Sequence, residues 1–293
     1  VIGQQAYRPG SEDWALFHLS YGDLESTEGR DAQALAHYEQ AARLFEERTG
    51  PESQETLQAR VRVADAQLSL EWLDQSQQTF QKVQELAKKN LEQQQHFYTQ
   101  ALLGLATLHA VRGQHDKALR LRQQALELRE RYLGPEHYNT SLIRQGIADS
   151  HLELNQPGRA LVLFEQVLAR FEQKAQLESP TGALLLAGKG EALHKLGRTA
   201  EALPLLEQAL HILEKSSGRA EYMAIAQSAL ARALVDAGQQ KERALRLAMA
   251  ARTTFTRAPR IHANDLARLD AVLKRHAPTS APSPGSTALS APP

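Results

Sequence analysis

Residues 182–190 (GALLLAGKG) set a lysine between glycines in the manner of a phosphate-binding loop, where backbone N–H groups cradle a phosphate and the lysine meets its charge. The spacing fails that chemistry. Gly182 stands one position too early, and Gly190 takes the place of the hydroxyl that would hold magnesium. Eleven histidines are present, yet no His-Glu-x-x-His and no close pair at helical spacing occurs, so no metal site is expected. His109 and His151 share a register but stand 42 residues apart (151−109). No strand-to-helix elbow presents a serine nucleophile, and the glycine-rich, His-Arg-Asp and Asp-Phe-Gly signatures of phosphoryl transfer are missing. With no cysteine, thiol catalysis, thiolate zinc and disulfides are excluded together. The expectation is a chain with no catalytic residue, no metal and no cofactor.

One reactive type does recur. Asp23, Asp65, Asp149 and Glu191 fall on a common 42-residue spacing, with Thr107 at the intervening step. Together with Arg62 and Gln145 they form a candidate groove lining, an acidic ladder suited to basic or amide-rich polypeptide segments. The plain alternative is a solvated helix face.

Such a ladder needs elements that repeat with it. Aromatics are scarce, while alanine, leucine, glutamine, glutamate and arginine, which lose least on entering a helix, dominate. Ala34, Ser76, Ala118, Ala160, Ala202 and Ala244 recur every 42 residues (76−34, and so on). Five residues earlier lie Gly29, Glu71, Gly113, Asn155 and Gly197, with Gly238 one step further out, at positions that suit the left-handed end of a helix. Twelve earlier lie Gly22, Ala64, Ala106, Ala148 and Gly190, and Ala231 in the sixth copy, small enough for two helices to approach closely. Four later lie Tyr38, Phe80, Arg122, Phe164, Leu206 and Ala248, on the face expected to be buried. Gly50 and Pro51, like Gly134 and Pro135, end one unit and start the next. The second copy departs from the pattern at Glu71 and Ser76, and the third at Arg122, which places their packing in question.

This register resembles the tetratricopeptide repeat in its longer, kinesin-light-chain-like form. The resemblance implies an all-α, right-handed α-solenoid of about six helix-turn-helix hairpins, with repeats at about 11–50, 53–91, 94–133, 137–174, 179–217 and 220–257 inside a solenoid spanning 11–260. First helices would line the concave side. Residues 1–10 read as a lead-in, and residues 261–276, with Ile261, Leu266, Leu269, Val272 and Leu273 on one stripe, as a capping helix. Residues 277–293, rich in proline, serine and alanine, are expected to be disordered. The lysine, asparagine and arginine set of a chaperone-type carboxylate clamp is not matched: the corresponding stretches offer Leu19 and Ser20, Val61 and Arg62, Leu103 and Gly104, Gln145 and Gly146. The asparagine ladder of kinesin-light-chain relatives is missing too.

Charge bounds the partners. Lysine plus arginine and aspartate plus glutamate both total 34, so no overall field draws the chain to nucleic acid or anionic lipid, and a protein or peptide partner is expected. No apolar run approaches the roughly 20 residues that span a bilayer. The lack of cysteine fits a reducing, cytoplasmic setting. The chain opens on Val1, which reads as a piece of a longer protein. Residues 1–55 hold eleven acids and four bases, while residues 241–275 hold nine bases and three acids. That polarity predicts weak, salt-screened head-to-tail self-association.

The C-terminal residues carry a second resemblance. Arg243, Ala244 and Leu245, then Ala250, Ala251 and Arg252, then His262 and the stretch from Leu266 to Leu273 with its Leu269-Asp270 pair, are similar to the end of bacterial multidomain serine/threonine protein kinases with a tetratricopeptide tail. The resemblance implies a regulatory or substrate-recruiting solenoid beside a kinase that lies outside this chain. The alternative is a free-standing scaffold or the sensor arm of a transcriptional regulator.

Overall fold

A computed structural model describes residues 11–216 and 219–276. The lead-in and the proline-rich tail fall outside the described residues. Thirteen helices and no strand occur among the described residues. They pair into six hairpins: α1 (Glu12–Thr27) with α2 (Asp31–Thr49), α3 (Gln54–Ser69) with α4 (Leu73–Lys89), α5 (Leu91–Val111) with α6 (His115–Leu133), α7 (Tyr138–Glu153) with α8 (Pro157–Gln173), α9 (Pro180–Lys195) with α10 (Thr199–Lys215), and α11 (Ala220–Asp236) with α12 (Lys241–Phe255). A last helix, α13 (Ala263–His276), follows.

Each hairpin turn is built the same way. Gly29, Glu71, Gly113, Asn155, Gly197 and Gly238 all have φ between 55° and 77°, and the next residue's N–H reaches back five residues, as in Arg30 to Glu25, Trp72 to Gln67 and Arg198 to Leu193. Carbonyls orphaned at the helix end are thereby satisfied. Four of the first helices carry side-chain caps: Ser11, Ser53 and Ser179 accept from Trp14, Thr56 and Gly182, and the His137 ring accepts from Asn139. Each of the three serine caps contributes about 1 kcal/mol. Helix α5 begins at Leu91 and breaks its regular geometry at Gln94 (φ −114°, ψ 16°).

The recurring small residues close the layers. Ala34, Ala118, Ala160, Ala202 and Ala244 are fully buried, and so is Ser76, whose hydroxyl donates to the Ala64 carbonyl at 2.8 Å. The second copy therefore tolerates its serine by satisfying it. Phe80 and Phe164 wedge between successive first helices, against Gly104 and Gly188; a Cβ on either glycine would lie 2.3–2.4 Å from a ring carbon. Gly190, the third glycine of the apparent phosphate loop, accommodates Leu206 in the same way. Those glycines serve packing inside α9 and present no loop.

The C-terminal segment closes the array on itself. Leu269 of α13 is fully buried in a cluster with Ala224, Ala231, Ala248, Ala251 and Phe255, and its neighbour Asp270 accepts from Arg252 Nε at 2.6 Å. The Phe255 and His262 rings stack 4.5 Å apart. The backbone N–H groups of Arg260 and Ile261 both donate to Glu71 Oε1, at 2.6 and 3.2 Å, and Arg260 Nη1 reaches the Glu71 carbonyl. The residue that departs from the turn pattern in the second copy thus ties the sixth copy's exit to the second.

At the other end, His18 and His37 share a short Nδ1–Nδ1 contact of 2.8 Å beside Trp14, Phe17 and Tyr21. Burial, and for His18 the neighbouring His37, holds both imidazoles below their ordinary value of 6.5. The fold therefore binds fewer protons here than the unfolded chain does. The associated stability is present above about 6.5 and is lost as pH falls through it. We expect the melting temperature of His37→Gln to rise relative to that of the parent protein as pH falls from 7.5 to 5.5; a difference that stays constant across that range would remove the pair as a contributor.

Candidate peptide-binding groove

Several first helices pack directly on the next (α3 on α5, α7 on α9, α9 on α11), which brings their free faces side by side. Two adjoining cavities open on it. The larger, about 240 Å³, is lined by His96, Gln100 and Leu103 of α5, by Asn139, Leu142, Ile143 and Gly146 of α7, and by Arg122 and Arg129 reaching through from α6. The second, about 210 Å³, lies between Gln58, Val61 and Arg62 of α3 and His96, Phe97 and Gln100 of α5. His96 and Gln100 belong to both, so the cavities form one groove across the second to fourth hairpins.

The acidic ladder is present as positions but not as a row of free carboxylates. Asp23 accepts from the Tyr38 hydroxyl at 2.8 Å and pairs with Arg62 Nε at 3.2 Å. Glu191 pairs with Arg232 at 3.1 Å, and with Arg268 and Lys195 at longer range; burial pushes its carboxyl up, but these cations overcome that and hold it at about 2. Thr107 turns its hydroxyl back to the Leu103 carbonyl of its own helix. Gln145 is half-buried on α7.

Asp65 and Asp149 have no ion pair within 4 Å among the described residues. Both side chains meet water, yet the surrounding helices remove much of the bulk solvent that would stabilise their charge. Burial raises Asp65 to about 6 against the pull of Arg62 and Arg219. It raises Asp149 to about 7 against the pull of Arg122, with Glu191 and Glu153 adding to the rise. A groove whose acids are paired or partly protonated attracts basic segments less strongly than a row of free carboxylates would.

Two cations beyond the expected lining, Arg122 and Arg129, also reach the groove. Arg129 is buried at 4% exposure; Nη2 donates to His96 Nδ1 at 2.9 Å, and Nε has no partner among the described residues. Because arginine can only donate, the bond fixes His96 with its proton on Nε2. Burial, then Arg129 and Arg62, keeps His96 neutral at ordinary pH. Arg122 Nη1 donates to Ser150 Oγ, and burial lowers its pKa. The signal for these residues was the broken register at Arg122, read there only as doubtful packing.

The charge polarity along the chain is partly engaged within it. A third cavity, about 330 Å³, lies where Glu28, Asp31 and Ser69 of the first two hairpins face Arg219, Arg257 and His262 near the C-terminus.

Helical hairpins in fixed register around a concave face make this an α-solenoid of the protein-interaction class. Residues 98–173 and 185–220 match family models described as tetratricopeptide repeat, so the chain carries tetratricopeptide repeats over those stretches. It is similar in fold to NprR in complex with its cognate peptide NprX (16% identity, TM-score 0.66, 94% of this chain and 76% of that one). It is also similar to a Rap protein complexed with competence and sporulation factor (15%, 0.63, 92% and 78%) and to BtubC (BKLC) from P. vanneervenii (18%, 0.58, 88% and 96%). No curated protein matches the sequence. No catalytic domain accompanies the repeats within the described residues. No helix among them is long and apolar enough to cross a membrane.

Proposed function

We propose that the chain binds an extended polypeptide segment along the groove of its second to fourth hairpins, acting by proximity and specificity rather than chemistry. The observation that carries this reading is the pair of adjoining cavities joined by His96 and Gln100, with apolar walls and convergent polar groups. Neighbours of similar fold are in complex with peptides, which supports the reading.

Peptides selected from a random display library should bind the protein, and Gln100→Glu with Leu142→Glu, which fills the groove with charge, should weaken them at least tenfold. Asp65→Lys with Asp149→Lys should weaken basic peptides selectively. Selected peptides that ignore all four changes would end the reading.

The finer reading is a regulatory or substrate-recruiting module of a bacterial serine/threonine protein kinase. Its support is the C-terminal pattern, which the fold employs in the cap: Leu269 in the core and Asp270 on Arg252. The open reading frame that encodes this chain should then carry a kinase domain ahead of residue 1; a DNA-binding domain there would overturn it. A cytoplasmic location belongs to the same proposal. Weak head-to-tail self-association is the remaining proposal for the unengaged terminal charges, and a molecular mass by light scattering that does not change with salt would reject it.

A further inference from the structure

The position four residues after each marker is filled by Phe80 and Phe164 in the second and fourth hairpins, each ring lying against the glycine 24 residues later. In the third hairpin that position is Arg122, and its partner is Gly146. A Cβ on Gly146 would stand 3.3 Å from the guanidinium, against 2.3–2.4 Å from the phenyl rings at Gly104 and Gly188. The 240 Å³ cavity opens at this point in the stack. Its walls are the apolar faces of Leu103, Leu142 and Ile143, and Arg122 and Arg129, two turns apart on α6, each bring a guanidinium to it.

Neither arginine has a carboxylate within 4 Å among the described residues. A buried guanidinium with an unpartnered Nε is costly unless something completes its bonding. The same backbone register accepts phenylalanine twice, so packing alone does not call for arginine here. We propose that this cavity is a specificity pocket for an apolar side chain that carries or adjoins a carboxylate, supplied by the bound peptide, with Arg122 and Arg129 receiving the charge and the aliphatic walls receiving the body. This rests on the peptide-groove reading and deepens it. Asp149 is the carboxylate nearest in charge to Arg122; at about 7 it is partly protonated at neutral pH, so it opposes an incoming anion less than an ordinary aspartate would.

Four probes test the pocket by calorimetry and by amide chemical-shift mapping. N-acetyl-leucine presents a terminal carboxylate on an isobutyl body, N-acetyl-leucinamide is its neutral counterpart, and N-acetyl-leucyl-aspartamide carries the acid on a side chain. The acid should bind in the millimolar range, with shifts at Leu103, Leu142 and Ile143, and the neutral amide at least tenfold more weakly. The aspartamide tells an internal acid from a chain terminus, and 4-methylpentanoate tells a peptide source from a free carboxylic acid.

Arg122→Phe restores the residue found at this register in the neighbouring hairpins. It should fold with an unchanged or higher melting temperature and lose acid binding at least tenfold. Arg129→Gln, which keeps the donor to His96, should lose it by a similar factor and serves if the first variant misfolds. Equal binding of acid and amide, shifts that map elsewhere, or full binding by Arg122→Phe would each overturn the assignment. If peptides still bind the groove while the acid does not, the pocket alone fails; if neither binds, the groove reading fails with it.

Discussion

Phe164→Ala is expected to destabilise the protein by about 3–5 kcal/mol, the cost of removing a fully buried aromatic ring whose site cannot collapse. Phe164 has no exposure, and its ring lies against Gly188, where no side chain exists to swing into the space. The ring bridges α8 to α9, the junction of the fourth and fifth hairpins. Because solenoid stability is a sum of nearest-neighbour interfaces, the loss should fall on that junction and divide unfolding into two steps. Guanidinium titration followed by circular dichroism reads both effects. A loss below about 1 kcal/mol would show that the wedge does not carry the interface. Adding Gly188→Leu to the alanine variant should recover part of the loss by refilling the void, a coupling expected only of residues in contact.

Arg268→Glu should detach the capping helix. Arg268 Nη2 holds both carboxylate oxygens of Glu153 at 2.7 Å, while Nη1 lies 3.9 Å from Glu191 and 3.7 Å from Asp265. Reversal would set a fourth carboxylate among three in a partly buried position. We expect a loss of about 3 kcal/mol, the scale for breaking such a pair and leaving like charges behind. Hydrogen exchange should then rise across residues 260–276 and leave α3 to α7 unchanged. Glu153→Arg on the same chain should restore more than half the loss by rebuilding the pair with opposite polarity. A melting temperature within a degree of the parent protein would refute the role assigned to Arg268. The carboxylate side follows a pH sign of its own. Glu191, held at about 2 by its cations, contributes stability that is present above its ordinary value of 4.5 and disappears as pH falls toward 2.

The architecture could be read from spacing because a solenoid encodes its contacts in register. A glycine or asparagine that ends a helix, an alanine that admits a neighbour and an apolar residue four positions on are local requirements, repeated six times, so each copy corroborates the others. Even Glu71, the least suitable residue for a left-handed turn, took that conformation because the repeat around it demands it. Charge obeys no such register. Asp23, Asp65, Asp149 and Glu191 occupy equivalent positions, yet Arg62 pairs with the first, Arg232 with the last, and neither middle one has an ion pair within 4 Å among the described residues. Their partners come from other helices at separations no period describes.

The helices, their turns and the residues that close each layer followed from residue type and periodicity, because those contacts are made within a hairpin or with the next one. The closure of residues 260–268 onto Glu71 and Glu153 and the opening of a cavity at Arg122 were decided only in three dimensions. The first depends on the accumulated curvature of six hairpins, which brings together residues more than a hundred positions apart. The second depends on what fills, or fails to fill, the space between helices, a volume that spacing alone cannot measure.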